Sequence, residues 1–160
     1  METLNRPFWL EDADTSYPPP SSPVDVDVAV VGAGITGATT AFLLKQAGRR
    51  VALLDMNRVC SGATGYTTAK LTVGHNLVYA ELIEKFDVET ARRYAESNQE
   101  AIEQVAALVE ANEIDCDFER ASNYVYVEPG SSTSDLEREA DAARRAGIAA
   151  ELTTETETAV

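Results

Sequence analysis

Residues 24–55 read VDVDVAVV, then GAGITG, then ATTAFLLKQAG, then RRVALLD. An apolar, β-branched run ends at Val31. Glycines stand at positions 32, 34 and 37, an amphipathic segment follows, Gly48 interrupts it, and a second apolar run ends on an acid, Asp55. The order is strand, tight turn, helix, turn, strand, with glycines in the spacing G-x-G-x-x-G. Each part has a physical reason. Gly32 permits the sharp turn off the strand, Gly34 lets a pyrophosphate approach the backbone, and Gly37 lets the helix pack close to the strand. The free amides of the first helical turn then face the phosphates, aided by the helix dipole. Ala41, one turn after Gly37, belongs on the face that meets the sheet, and Gly48 closes the helix where a left-handed residue is favoured.

Asp55 ends the second strand where a ribose would lie, and its carboxylate can accept hydrogen bonds from ribose hydroxyls. A carboxylate there repels a 2′-phosphate, so NADP is disfavoured. The motif by itself does not choose between NAD and FAD. A glycine-rich turn without a ligand is the bland alternative, and the strand–helix–strand context with the acid in place argues against it.

The chain has 160 residues, enough for one domain or part of one, and is 44% hydrophobic, enough for a real core. Its net charge is −14, from 27 acids and 13 bases. That balance argues against a nucleic-acid surface and against an anionic membrane. It fits a soluble acidic protein, and acidic surfaces also suit high salt. Cys60 and Cys116 share no metal-binding spacing and give no disulfide framework, so a reducing cytosol is the default compartment. With His75 as its one histidine the chain cannot by itself build a conventional zinc or Rieske site, and no metal is expected. Val28–Leu44 is uncharged, but it is short for a membrane span and glycines and threonines interrupt it.

Around the nucleotide unit, residues 1–23 read as an extended, proline-rich arm with Phe8 and Trp9 as anchors to the body, or as a disordered tail. Residues 24–76 hold the βαβ unit and a loop, 56–76, that is dense in small and hydroxyl residues. This loop leaves the carboxyl end of the second strand, where open α/β sheets bind ligands. Residues 77–160 read as a helical segment and the start of a further region. Helices are expected over Leu77–Phe86 and about Val88–Ala111, the latter with Asp87 as N-cap. Ile114–Phe118 and Asn123–Val127 alternate like strands, and Ile148–Leu152 could be one more. Ser134 and Glu137 form a capping box before a last helix that ends at Gly147.

With these residues in view the sequence resembles a known family. GAGITG with Asp55, then SGATGYTTAKLTVGH, then DCDFERASNYVYV, is similar to FAD-dependent oxidoreductases of the D-amino-acid oxidase and glycine oxidase superfamily. Within it, the chain looks like the branch whose members often carry a C-terminal Rieske iron–sulfur domain, and the lead-in FWLEDADTSYPP resembles that branch too. The resemblance implies an α/β fold: a Rossmann-like FAD-binding βαβ unit with a helical insertion and part of a substrate-side β-sheet, incomplete within this chain. It implies FAD held by Gly32, Ala33, Gly34, Ile35, Thr36 and Gly37 at the pyrophosphate. Asp55 would meet the adenosine ribose with Met56 and Arg58 beside it. Thr64, Gly65, Thr67, Thr68, Ala69 and Lys70 would lie toward the flavin. It also implies hydride removal from a small-molecule amine or amino acid to flavin N5, with the flavin carrying the chemistry. The Rieske ligands and the family's later segments are missing, so the chain looks like the front portion of such an enzyme. Lys70 is either a charge near the flavin N1–C2 carbonyl or a solvated helix lysine. His75 is either a flavin attachment point or proton acceptor, or a hydrogen-bonded structural residue. Cys60 reads as a small packed residue. A non-catalytic nucleotide-binding module and an NAD-dependent dehydrogenase domain remain as other readings.

Overall fold

A computed structural model of the chain describes residues 7, 10, 16–128 and 130–156. Contacts divide the chain into two units, residues 1–70 and 71–160. The architecture is α/β, with a short parallel sheet and four α-helices among the described residues, compatible with part of an FAD-binding fold. None of these helices is long and apolar enough to cross a membrane.

In the first unit β1 (Val28–Val31) runs through the glycine turn into α1 (Ile35–Gln46), which returns the chain to β2 (Val51–Leu54). The strands pair in parallel, Val28 opposite Val51 and Val31 opposite Leu54. Parallel neighbours need a crossover, and α1 supplies it. The pleat turns Val30 toward α1, where a Cβ built on Gly37 would lie 3.4 Å from Val30 Cγ1. Ala29 and Val31 alternate to the exposed side, Val31 at 84% exposure. Ala41 is buried, as its position four residues after Gly37 requires. Gly48 takes φ +77. Its amide donates to Lys45 O at 3.0 Å and that of Arg49 to Leu44 O at 3.1 Å, which satisfies carbonyls left over at the helix end. At the other end of the sheet Asp27 accepts from the Arg50 amide (2.8 Å) and guanidinium (3.1 Å). One expectation changes. α1 is not amphipathic in the ordinary sense, because Ile35, Phe42 and Leu43 are apolar and exposed while Ala41 is buried. Residues 16–23 are exposed and irregular, and Phe8 and Trp9 lie outside the described residues.

The second unit packs α2 (Val78–Lys85), α3 (Val88–Ala111) and α4 (Ser134–Arg145) around Tyr79, Ala91, Ala95, Ala142, Ala143 and Ala146. The alanines let backbones approach closely, and Tyr79, 2% exposed, fills the centre. Its hydroxyl donates to Val73 O at 2.6 Å. Burial first, then Tyr94 and Glu139, pushes its pKa up to about 12. Asp87 caps α3 as its sequence position predicts, accepting from the Thr90 amide at 2.6 Å. A cap not foreseen in the sequence holds α2. Glu139, on α4 and only 8% exposed, accepts from the amides of Tyr79 and Ala80, both at 2.8 Å. A carboxylate at the positive end of a helix satisfies two orphan donors and the dipole together.

Several expectations over this stretch are corrected. Residues 114–118, 123–127 and 148–152 are not strands, so the substrate-side sheet does not form among the described residues. Alternation shows that a segment can be half buried in a sheet, but a strand also needs a ladder partner. Glu113 and Asp117 at φ +49 and +50 break the extended run. The segment is held instead by side chains. Arg120 forms a two-pronged pair with Glu103 of α3 (2.7 Å each), and the Asn123 amide donates to Gly74 O at 3.3 Å. The expected Ser134–Glu137 capping box does not form, because the helix starts at Ser134 itself. Thr133 is the N-cap, with its hydroxyl on the Glu137 carboxylate (2.8 Å), while Ser132 Oγ accepts from the Ser134 amide (3.2 Å).

Glu139→Ala strands two amides of α2 and is expected to lower the unfolding free energy by about 2–4 kcal/mol, the scale of buried hydrogen bonds to a charged group left unmade. Urea denaturation measures it. Glu139→Gln keeps an acceptor oxygen and should lose less, and an unchanged midpoint in the alanine variant would show that Glu139 is no cap.

Candidate nucleotide-binding site

The glycine turn joins the end of β1 to the first turn of α1. Gly32 takes φ +100, a conformation open to glycine, and its amide still donates to Leu54 O (2.7 Å). α1 starts after Gly34, which is extended (φ −76, ψ −176), with no side-chain cap bond and no acid in the first turn. The first turn itself therefore offers no carboxylate to the partial positive charge of the helix end. Gly37 cannot carry a side chain, because its Cβ would overlap the carbonyl oxygen of Gly32. A Cβ on Gly34 would lie 3.0 Å from Thr64 Oγ1.

The loop after β2 folds back onto this turn at three points. Asp55 Oδ2 accepts from the Ala33 amide (2.7 Å), and Oδ1 accepts from the Asn57 amide (2.8 Å). The Cys60 amide donates to Ala33 O (2.9 Å), with its thiol 3.7 Å from the same oxygen. Thr64 Oγ1 accepts from the Ile35 amide (3.0 Å). The Ala33 amide first, then that of Asn57, holds the Asp55 carboxyl below the usual carboxylate range. Gly65 is buried behind Thr64, where a Cβ would overlap the Cys60 carbonyl and meet the Leu10 side chain.

The structure thus gathers Gly32, Ala33, Gly34, Ile35, Thr36, Gly37, Asp55 and Thr64 around the start of α1. Thr64 sits at the helix end rather than apart from it. Met56 and Arg58 are exposed beside Asp55. Thr67 donates to Thr64 O (3.2 Å) and accepts from the Ala69 amide (3.2 Å), so this part of the loop is tied to itself. Thr68 and Lys70 are exposed, and Lys70 lies outside any helix. In the second unit His75 Nδ1 is 3.0 Å from the Tyr94 hydroxyl, with the rings edge to face, the arrangement of a hydrogen-bonded structural residue. Cys60 is half buried, in keeping with a packed residue. Its hold on Ala33 was not legible, because a backbone amide makes it and any residue type could.

Such a turn, between a strand and a helix that crosses over a parallel pair, has the form in which α/β folds hold a dinucleotide. The chain belongs to the FAD dependent oxidoreductase family (DAO), which it matches over residues 27–159. The family's cofactor, FAD, fits the residues present: a first helical turn without an acid, and a glycine, Gly34, where a Cβ would crowd Thr64 beside the helix amides. The chain is 36% identical, over 91% of its length, to a Bacillus subtilis strain 168 protein named as a Rieske 2Fe-2S iron-sulfur protein, YhfW. It is 28% identical, over 64% of its length, to gamma-glutamylputrescine oxidoreductase of Escherichia coli K12. It is 27% identical, over 71%, to a Haemophilus influenzae protein named as an oxidoreductase, OrdL. The chain spans 29%, 24% and 26% of the lengths of these relatives. No solved structure matches it.

The sign of the Asp55 effect follows from its depressed native pKa. Its contribution to stability is present above the unfolded value of about 3.9 and is lost as pH falls through the native one. Thermal melts of wild type and Asp55→Asn across about pH 2 to 5 are expected to converge on acidification, with the wild type ahead at the upper end. Parallel curves would show that Asp55 has the same pKa folded and unfolded.

Proposed function

We propose that this chain carries the pyrophosphate- and ribose-binding part of the FAD site in an oxidoreductase that oxidises a C–N bond of a small amine or amino acid. The observation that carries the reading is the start of α1, which has no acid in its first turn and meets only the neutral hydroxyl of Thr64 at Ile35, in a chain of an FAD-dependent family. The amides of Gly34, Ile35, Thr36 and Gly37 would face the pyrophosphate, with Ala33 fixing the turn. Thr64 can donate its hydroxyl proton to a phosphate oxygen while still accepting from Ile35. Asp55 would accept from the adenosine ribose, beside Met56 and Arg58, and Gly65 and Thr67–Lys70 would lead toward the flavin. Bound FAD supplies the hydride acceptor. The substrate class is carried by the E. coli relative, whose name states an amine derivative as its substrate. Two free thiols, Cys60 and Cys116, fit a reducing cytosol.

FAD titrated into the purified protein, followed by quenching of flavin fluorescence, tests the placement. Gly34→Val should abolish binding while the far-ultraviolet circular dichroism stays that of a folded chain, since its side chain would fill the approach to the backbone. Stoichiometric flavin in that variant would mean that the phosphates lie elsewhere.

Lys70 is assigned to the flavin N1–C2 carbonyl, where a positive charge stabilises reduced flavin. Lys70→Met should then lower the reduction potential of the bound flavin without releasing it. Equal potentials in a redox titration would show that Lys70 has no part in tuning the flavin.

A further inference from the structure

Ala33, the middle residue of Gly-Ala-Gly, is 2% exposed, and both its polar backbone atoms are engaged. Its amide donates to Asp55 Oδ2 (2.7 Å), and its carbonyl accepts from the Cys60 amide (2.9 Å). The second oxygen of Asp55 is engaged as well, by the Asn57 amide (2.8 Å). The peptide planes on both sides of Ala33 are thereby pinned. One is held by the residue that follows β2 and the other by the loop beyond it. The next peptide amides, those of Gly34 and Ile35, open α1, so their direction is set by how Ala33 is held. A buried amide that loses its acceptor must find another or turn toward water, and turning it rotates the peptides that follow.

We propose that Asp55 is a positioning residue of the glycine turn, fixing the Ala33 peptide and through it the amides that meet a phosphate, apart from any contact its carboxylate makes with a ribose. A carboxylate offers about four acceptor positions. Two are used here, so the same group can hold the turn and accept from ribose hydroxyls at once. The proposal rests on the nucleotide placement above and assigns Asp55 a second role within it.

The two roles separate with ligands that differ only in ribose hydroxyls. Affinities for ADP and for 2′,3′-dideoxy-ADP are measured by calorimetry on wild type, Asp55→Ala and Asp55→Asn. A positioning role predicts that Asp55→Ala weakens both nucleotides, by about tenfold or more, the scale of one lost hydrogen bond to a charged group. Asp55→Asn, which keeps an acceptor oxygen for Ala33, should recover part of the dideoxy-ADP affinity. Weakened ADP binding with unchanged dideoxy-ADP binding overturns the proposal and leaves Asp55 a ribose ligand alone.

A second measurement needs no nucleotide. Amide hydrogen exchange of Ala33 in the ligand-free chain should be faster by about tenfold in Asp55→Ala and less so in Asp55→Asn. Unchanged exchange at Ala33 overturns the proposal even where nucleotide affinities fall. If the wild type binds neither nucleotide, the placement of the site fails, and the exchange at Ala33 still decides the role of Asp55.

Discussion

The contact on which the first unit depends is the approach of α1 to the end of β1 at Gly37. A single Cβ there would overlap the carbonyl oxygen of Gly32, so helix and turn meet with no side chain between them. That closeness buries Ala41 and turns Val30 onto the helix, and it fixes where the first amides of α1 emerge. The loop after β2 is then close enough for Thr64 to reach the Ile35 amide and Asp55 the Ala33 amide. A larger residue at position 37 would push the helix out and break these reaches together. Their distances are set by one packing contact rather than by each side chain separately.

What was legible in the sequence was what is local. The glycine spacing, Gly48 at the end of α1, Asp87 before α3 and Gly147 after α4 act through neighbours three to five residues away. The turn's composition therefore identified its shape. Failures came where the outcome depends on distant partners. NYVYV alternates as a strand does, but alternation carries no information about whether a ladder partner exists. The cap of α2 by Glu139 spans 60 residues of sequence, and in the sequence Glu139 is one acid among several on an acidic helix. The capping box failed because Ser132, Thr133 and Ser134 can each accept, and the helix begins at Ser134 with Ser132 Oγ accepting from its amide. At the site, residue types pointed to Asp55 and Thr64, while Cys60 acts through its backbone and left no mark of type.

The acidic composition has a structural use that net charge alone conceals. Asp27, Asp55, Asp87 and Glu139 each accept from main-chain amides, at a strand start, a glycine turn and two helix starts. Ionised acceptors make shorter and stronger bonds than neutral ones, and at helix starts they also meet the dipole. For the first three the amide bond leads the causes that hold the carboxyl below its ordinary pKa: Arg50 for Asp27, Ala33 for Asp55, Thr90 for Asp87. The start of α1 departs from this pattern. It has the amides and the dipole but no acid in its first turn; Ile35 meets the neutral hydroxyl of Thr64, and the nearby Asp55 carboxylate is engaged by the Ala33 amide ahead of the helix. In a chain so rich in carboxylates, an uncharged group at that one helix start is what an incoming anion requires.

The two strands carry a related mark of what they are made for. VAVV and VALL are apolar at every position, the pattern of parallel strands covered on both faces. Within this unit α1 covers one face. Val28 and Val30 are partly shielded, whereas Ala29, Val31 and Leu54, the partner of Val31 on β2, are exposed. A two-stranded sheet that faced water on that side would gain nothing from valine and leucine there, since alternation with polar residues would serve it better. The relatives extend well beyond the span this chain matches, and further strands or helices on that side would bury such residues. The apolar side chains at the carboxyl ends of β1 and β2 then stand beside the turn that faces the phosphates. One pattern of burial would support both the sheet and the nucleotide site.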